Sequence, residues 1–440
     1  QHTEGFDALV AALEQLDTDQ ALQDCGVPLA AIHQLADLLA RKQKIIICWA
    51  MGITQHKNAV DCIKEYVNIL LLKGAIGKPF AGTCPVRGHS NVQGDRTVGI
   101  VERPSEALLD RLQEVFKFDP PREHGVDVVE SIHAMHEGQG KVFIGMGGNF
   151  VAATPDTHYT EEAMRRCRLT VHISTKLNRS HLVTGQRALI LPCLGRTEVD
   201  EQQGGPQFVT CENSMSVVSR SQGRVKPASE HLLSEPAIVA GLAAATLGES
   251  NPIGWKSLVQ DYDRIRNLIE EVIPGFEDYN QRVRAPSGFV LPNGPRNRVW
   301  KTKSGLAEFT VHPIPRIDLA PGQYLMATVR SHDQYNTTIY GNDDRYRGIY
   351  QRRRVVLMSP EDIEKASLVE GQYVDLISHF EGVERRADHF LVLKQSLPSR
   401  CVVTYFPEAN PLIPSRSVAD KSNTPTSKSV VVTMIPSAKA

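Results

Sequence analysis

The 440-residue chain has eight cysteines but no C-x-x-C pair, no long apolar run, no net charge to speak of, and no common glycine fingerprint. Each absence excludes something. The scattered cysteines (Cys25, Cys48, Cys62, Cys84, Cys167, Cys193, Cys211 and Cys401) fit reduced cytosolic thiols rather than a disulfide framework. They also argue against an iron–sulfur cluster held wholly by this chain, because such clusters favour closely spaced cysteines. The longest greasy stretch, Tyr66 to Leu72, is far short of the ~20 residues that span a bilayer. A formal charge of −1 creates no global field toward nucleic acid or an anionic membrane. With neither G-x-G-x-x-G nor G-x-x-x-x-G-K-[ST], a standard nicotinamide site or P-loop is unsupported. An initiator methionine is missing too: Gln1 falls inside a helical pattern, so the chain reads as part of a larger enzyme.

What is present is ordinary in bulk. An apolar fraction of 41% and a charged fraction of 22% are those of a soluble protein, with length for two or three domains. Residues 5–40 carry apolar positions at helical spacing, with Pro28 opening a second run. Lys44 to Cys48 (KIIIC) has the continuous apolar character of a buried parallel strand, and Gly52 breaks it. Thr54 is placed to cap a helix running to Leu72, which Gly74, Gly77 and Pro79 terminate. After a polar loop over 80–103, helices are predicted near 104–116 and 126–137. Buried strands follow at 141–147, 168–174 and 188–192. This strand-then-helix alternation predicts doubly wound α/β sheets. The stretch 196–230 is irregular and glycine-rich, and helices are predicted at 235–247 and 255–271.

From about 316 the grammar changes. Short β-branched runs at 323–329, 372–378, 389–394, 401–405 and 429–434 alternate with glycine and proline turns. One helix interrupts them, 359–366, capped by Ser359. That spacing predicts a β-barrel-like domain, joined through the proline-punctuated stretch 284–315.

Several polar clusters sit where ligands bind. The turn Ala50–Thr54 puts backbone N–H groups beside a strand end, either as an anion site or as an ordinary βα turn. Arg87, in Cys84-Pro85-Val86-Arg87-Gly88-His89, offers a planar fork suited to a carboxylate, with His89, Asn91 and Gln93 beside it. Its alternative is a surface arginine in a polar loop. Gly145–Asn149 and Ser174–Lys176 follow successive strands, where open α/β sheets bind nucleotides. In the β-region, 330–338 is a polar block, and GNDDRYRGIYQRRR (341–354) adds five arginines. They suit a diphosphate or a solvated loop, and nucleic acid is disfavoured by the neutral chain. His133 and His136 lack further ligands for a metal. Cys48 reads as a buried strand residue rather than a nucleophile.

These stretches together carry a resemblance. MGITQ (51–55), GKPFAGTCPVRGHSNVQG (77–94), TKLNRSHLVTGQRALILPCLGRTEVD (175–200), PASEHLLSEPAIVAG (227–241), YNTTIYGNDDRYRGIYQRR (335–353), YFPEANPLIP (405–414) and SNTPTSK (422–428) are similar to one group. It is the formate-dehydrogenase-like alpha subunits of the molybdopterin oxidoreductase superfamily, in the branch that includes acid-resistance-associated oxidoreductases. The resemblance implies incomplete doubly wound α/β domains followed by a C-terminal double-psi β-barrel. It places the second half of one α/β domain at 1–90 and that of another at 91–230, a helical segment and linker at 231–315, and the barrel at 316–440.

It further implies a bis-molybdopterin guanine dinucleotide with molybdenum or tungsten, and a cytoplasmic enzyme taking formate or another small anion. Arg87 and His89 then fall beside the substrate, His89 where formate dehydrogenases usually carry glutamine. Gly147, Asn149, Ser174, Thr175 and Lys176 fall in segments around one guanine dinucleotide, and Gly52, in the turn read above as an anion site, is expected to bind cofactor too. Arg330, His332, Asn336, Thr337, Asn410, Thr424 and Lys428 fall on pterin and phosphates. No metal ligand is expected in this chain. In family members the selenocysteine or cysteine that binds the metal, and any [4Fe-4S] ligands, lie upstream of Gln1. The electron-transfer partner is left open, no nucleic-acid or membrane partner is expected, and bare strand edges predict self-association. A non-catalytic cofactor-holding paralogue and a plain nucleotide-binding module are the alternatives, and the isolated chain is expected to be inactive.

Overall fold

A computed structural model describes residues 2–248, 251–337 and 339–438. The apolar run after Lys44 forms strand β1 (Ile46–Trp49), which pairs in parallel with β2 (Gly82–Pro85). Between them the chain is helical in two pieces, Met51–Thr54 and Ala59–Leu72, and not one helix capped by Thr54. The break has a physical cause. The carbonyls of Gln55 and Lys57 accept hydrogen bonds from the backbone N–H groups of Lys428 (3.2 Å) and Asp420 (2.8 Å), so they are unavailable to a continuing helix.

The second sheet is three-stranded and parallel: β3 (Val142–Met146), β4 (Leu169–Ser174) and β5 (Arg187–Pro192), with β4 central. Only β4 is buried along most of its length, as the sequence predicts for a parallel strand. On one side lies a cluster of Ile132, Met135, Val151, Ala163, Met164 and Cys167, and on the other Val171 and Ile173 pack with Ile238. The runs of β1 and β3 are parallel strands but not buried ones. Ile46, Cys48, Val142, Ile144 and Met146, which alternate along one side of their strands, are exposed. Within the stretch that reads as irregular, β6 (Val209–Glu212) and β7 (Val217–Ser221) form an antiparallel ribbon.

The C-terminal third is a closed barrel of six strands: β8 (Tyr324–Val329), β9 (Val355–Met358), β10 (Tyr373–Phe380), β11 (Val383–Lys394), β12 (Cys401–Tyr405) and β13 (Val430–Pro436). Their order around the barrel is β8-β12-β9-β11-β10-β13, mixing parallel pairs (β8 with β12, β9 with β11) with antiparallel ones. Closure leaves no free strand edge. Met326, Val356, Met358, Leu376, Phe390, Val392, Val402 and Val432 fill the interior. Strand β9 is the one barrel strand that alternation does not mark, because all its residues are buried. Ser359 caps the helix Pro360–Lys365 by accepting from the Asp362 N–H at 3.1 Å.

Barrel loops reach back to both sheets. The Asn410 side-chain amide donates to the carbonyls of Ala152 (2.8 Å) and Thr154 (3.1 Å), and its own carbonyl accepts from the Asp156 N–H (3.0 Å). Arg385 pairs with Asp156 at 2.7 Å. On the other side, Lys421 pairs with Asp61 at 2.6 Å.

Phe390 is fully buried in the barrel. Phe390→Ala is expected to cost about 3–5 kcal/mol in denaturant unfolding. Val383→Ala, at the exposed start of the same strand, should stay within about 0.5 kcal/mol.

Candidate functional site

Three segments converge where the barrel rim meets the two sheets. Behind β1 come Met51 and Gln55, behind β3 come Gly148, Asn149 and Ala153, and from the barrel come Thr328, Arg330, Asn336, Thr337, Phe406 and Lys428. With His89 they line a cavity of 210 Å³. Gly147 and Gly148 have φ of +67° and +72°, so the turn after β3 takes a path that residues with a Cβ resist. The Gly147 N–H donates to the Ile173 carbonyl (2.7 Å), and Asn178 donates to the Gly148 carbonyl (2.7 Å). Asn149 is buried and its side-chain oxygen accepts from Ser180 Oγ at 2.8 Å.

The electrostatics are one-sided. Arg330 and Lys428 face the cavity, and among the described residues no carboxylate lines it. Arg330 lies 5.0 Å over the Phe406 ring and donates to the Asn336 side-chain oxygen, yet its Nε is buried with no partner. Lys428 Nζ donates to the Thr328 carbonyl. Burial first, and then the nearby Arg330 charge, push the Lys428 ammonium down to about 8. Two cations without a counter-charge, one with an orphaned donor, fit an anionic group such as a phosphate ester.

The Arg87 loop approaches from the side. Its guanidinium donates to Gln93 Oε1 (3.1 and 3.2 Å) and its backbone N–H to Ser214 Oγ (3.3 Å). Arg87 is exposed and does not line the cavity. His89 does, but neither ring nitrogen is free. Nδ1 lies 3.0 Å from the Tyr335 hydroxyl, and Nε2 meets the Asn336 amide. With Arg330 fixing the oxygen of that amide, its NH₂ donates to Nε2, and the assigned tautomer carries its proton on Nδ1.

The remaining sequence-predicted residues disperse. Gly52 sits in the turn between Met51 and Gln55, with open space where a Cβ would be. Thr175 lines a larger cleft of 850 Å³ with Arg196, Glu198, Asp200 and Tyr262; Ser174 donates to the Lys176 carbonyl at its edge (2.7 Å), and Lys176 is exposed. His332 is outside the cavity, its Nδ1 3.2 Å from Asp344 and its ring 4.2 Å from that of Tyr346. Thr424 holds the loop 419–424 through its carbonyl, which accepts from the Ala419 N–H (2.8 Å). Asn410 is the clamp described above. The five-arginine cluster is divided: Arg353 is buried against Glu408 (2.7 Å), Arg347 is tied to Asp344, and Arg345, Arg352 and Arg354 are exposed.

Residues that the sequence does not mark also matter. Glu212, at the end of β6, is buried beneath the Arg87 loop. Its backbone N–H donates to Asn91 Oδ1 (3.0 Å) and its carboxylate accepts from Thr97. Burial pushes its carboxyl up, against the pull of Thr97, Ser216 and Arg87. A single glutamate inside an apolar strand is the one signal that could have found it. His133 and His136 pack on Tyr159, and among the described residues no three His, Cys, Asp or Glu gather as a metal site. No helix among the described residues is long and apolar enough to cross a membrane.

Comparison with known proteins fits this picture. Residues 324–431, almost the whole barrel, match the family described as "Molydopterin dinucleotide binding domain". The chain is 50% identical over 443 aligned residues to an uncharacterized oxidoreductase of Mycobacterium tuberculosis, covering 99% of this chain and 57% of that protein. It is 46% identical to Protein YdeP of Escherichia coli K12, covering 99% of this chain and 58% of that protein. The F420-dependent formate dehydrogenase subunit alpha of Methanocaldococcus jannaschii is 25% identical over 60% of this chain and 38% of its own length. In fold, acetylene hydratase from Pelobacter acetylenicus superposes with a TM-score of 0.68 at 13% identity, over 99% of this chain and 67% of that one. The chain thus ends in a molybdopterin-dinucleotide-binding domain. That domain is related to formate-dehydrogenase-like oxidoreductases of the molybdopterin superfamily, and the chain spans a little over half the length of the curated relatives it matches.

Two outcomes are expected. Sulfate, whose charge is constant from pH 6 to 10, should bind the cavity and weaken about tenfold per pH unit above about 8, as Lys428 loses its proton. Calorimetric titration of wild type and Lys428→Met should show that slope only in wild type. Asp344 is buried, which alone would push its carboxyl up, but hydrogen bonds from Tyr405 and Arg347 hold it at about 2. Its stabilisation of about 2 kcal/mol is present above the unfolded-state value near 4 and lost as pH falls through about 2. The stability gap between wild type and Asp344→Asn should therefore close over that window.

Proposed function

We propose that the chain is the C-terminal portion of a cytoplasmic enzyme that binds bis-molybdopterin guanine dinucleotide, with molybdenum or tungsten, and oxidises formate or another small anion. The carrying observation is the 210 Å³ cavity with two cations and no carboxylate, set between the barrel and both sheet turns. Arg330, Lys428, Asn149, Asn336 and Thr337 would hold the cofactor's phosphates and pterin edge, and the cleft at Thr175 and Arg196 suits a dinucleotide tail. When bound, that cofactor supplies two-electron redox chemistry; the chain's own part is to bind, orient and neutralise. Arg87, tethered only by the neutral Gln93, would orient the substrate carboxylate through paired charge-assisted hydrogen bonds. For formate, the balance is one carboxylate giving carbon dioxide, one proton and two electrons. Glu212, a buried carboxyl near Arg87, tunes the charge behind that loop.

On this reading 1–90 and 91–230 are the second halves of two α/β domains, 231–315 is a helical segment and linker, and 316–440 is a double-psi barrel. A metal-ligating residue and any [4Fe-4S] cluster belong to other parts of the full-length protein, as does the docking of an electron-transfer partner. One observation favours a second reading, a cofactor-holding paralogue without turnover: both nitrogens of His89 are engaged, leaving it no free base.

Metal analysis with fluorescence of the oxidised pterin, on full-length protein from a cofactor-competent host, separates the outcomes. Molybdenum or tungsten with pterin guanine dinucleotide is expected, and a well-folded protein with neither would overturn the reading. In the loaded protein, Arg87→Ala should keep cofactor content and lower kcat/KM for formate roughly 10- to 100-fold. Loading without formate turnover in wild type would support the paralogue.

A further inference from the structure

The two strands that feed the site loops carry a thiol pair. Cys48 on β1 and Cys84 on β2 are in register as direct partners across parallel strands. Paired strands lie about 4.8 Å apart, within the ~4.4–6.8 Å between Cα atoms that a disulfide spans. Both side chains leave the sheet on the same face, because equal register puts them at the same point of the pleat. Burial first, and then the neighbouring Cys48 thiol, push the Cys84 thiol's pKa up. Cys48 is exposed and Cys84 partly buried. Both lie just before the loops that matter: Met51 follows Cys48 by three residues and Arg87 follows Cys84 by three.

We propose that Cys48 and Cys84 form a thiol oxidation site, closing to an intrachain disulfide on reaction with a low-molecular-weight disulfide such as oxidised glutathione. This inference is independent of the cofactor reading. Cys48 loses its proton to solvent, and its thiolate attacks one sulfur of the oxidant. The oxidant's S–S bond breaks, a mixed disulfide forms, and one small thiolate leaves. Cys84 then gives up its proton and attacks the Cys48 sulfur, expelling the second small thiolate. In sum two protein thiols and one small disulfide become one protein disulfide and two small thiols, so electrons and protons balance. Adjacent strands hold Cβ atoms farther apart than the ~3.8 Å a relaxed disulfide prefers, so the bond should be reducible rather than permanent. It would tie together the roots of the two loops, which already meet where the Val86 N–H donates to the Trp49 carbonyl (2.8 Å).

Incubation of the protein in oxidised glutathione, then alkylation and non-reducing peptide mapping, tests this. The expected result is a Cys48–Cys84 crosslink, a free-thiol count lower by two, and full reversal by dithiothreitol. C84S should trap a glutathione adduct on Cys48, and C48S should leave Cys84 largely unmodified. Retention of both thiols, or adducts on exposed cysteines with no crosslink in wild type, would overturn the proposal. A circular dichroism spectrum unchanged in both variants excludes misfolding as the cause.

Discussion

Two positive charges face a small cavity that contains no negative one, and much of the surrounding architecture serves to hold them there. Arg330 leans on Phe406 and Lys428 on the Thr328 carbonyl, so each ion has partial solvation but no counter-ion. The depressed ionisation of Lys428 measures the cost. Below pH 8 the folded chain carries a penalty on the order of 3 kcal/mol that disappears only as pH rises toward the unfolded value of 10.5. A fold that accepts such a cost gains it back when an anion fills the space, because removing charge–charge repulsion and restoring hydrogen bonds act together.

Geometry and charge meet in a single residue. The Lys428 backbone N–H bonds the Gln55 carbonyl and interrupts the helix after β1, while its side chain supplies the cavity's second cation. The same division of labour recurs on the other side, where Asn410 spends its amide on the carbonyls of Ala152 and Thr154 and so fixes the turn that carries Asn149. The barrel is therefore both ligand wall and clamp. Its closed hydrogen bonding makes it the rigid member, and the one-sided sheets take their relative placement from its loops.

How much of this was legible in sequence follows the same physics. The barrel announced itself through short β-branched runs because a strand with one buried face alternates; β9 stayed hidden because every residue of Val355–Met358 is buried and three arginines precede it. The helix break at 55–58 could not be read, since it is set by bonds to residues more than 350 positions away. Arginines were easily counted but not all easily placed: Arg353, in the five-arginine run, is a buried strut against Glu408, while Arg330 lines the cavity. Cys48 read as buried because its run is apolar, yet it lies on the bare face of its strand. Partners decide these cases, and partners are tertiary.

The link between the cavity and the Arg87 loop is a chain of neutral and charged hydrogen bonds: Arg330 to the Asn336 oxygen, the Asn336 amide to His89, and His89 to Tyr335. The Asn336 oxygen occupies a terminal nitrogen of Arg330, while the Arg330 Nε has no partner, so an anion can meet Nε and leave the bonds from Asn336 to His89 in place. Arg87 stands outside this chain, held by an uncharged amide and set over the buried Glu212, whose protonation state fixes how strongly its charge is offset. Its guanidinium keeps its charge unneutralised because the partner it donates to, Gln93, is an uncharged amide. Both ring nitrogens of His89 are engaged by neutral groups, so the loop presents a cation and no free imidazole nitrogen.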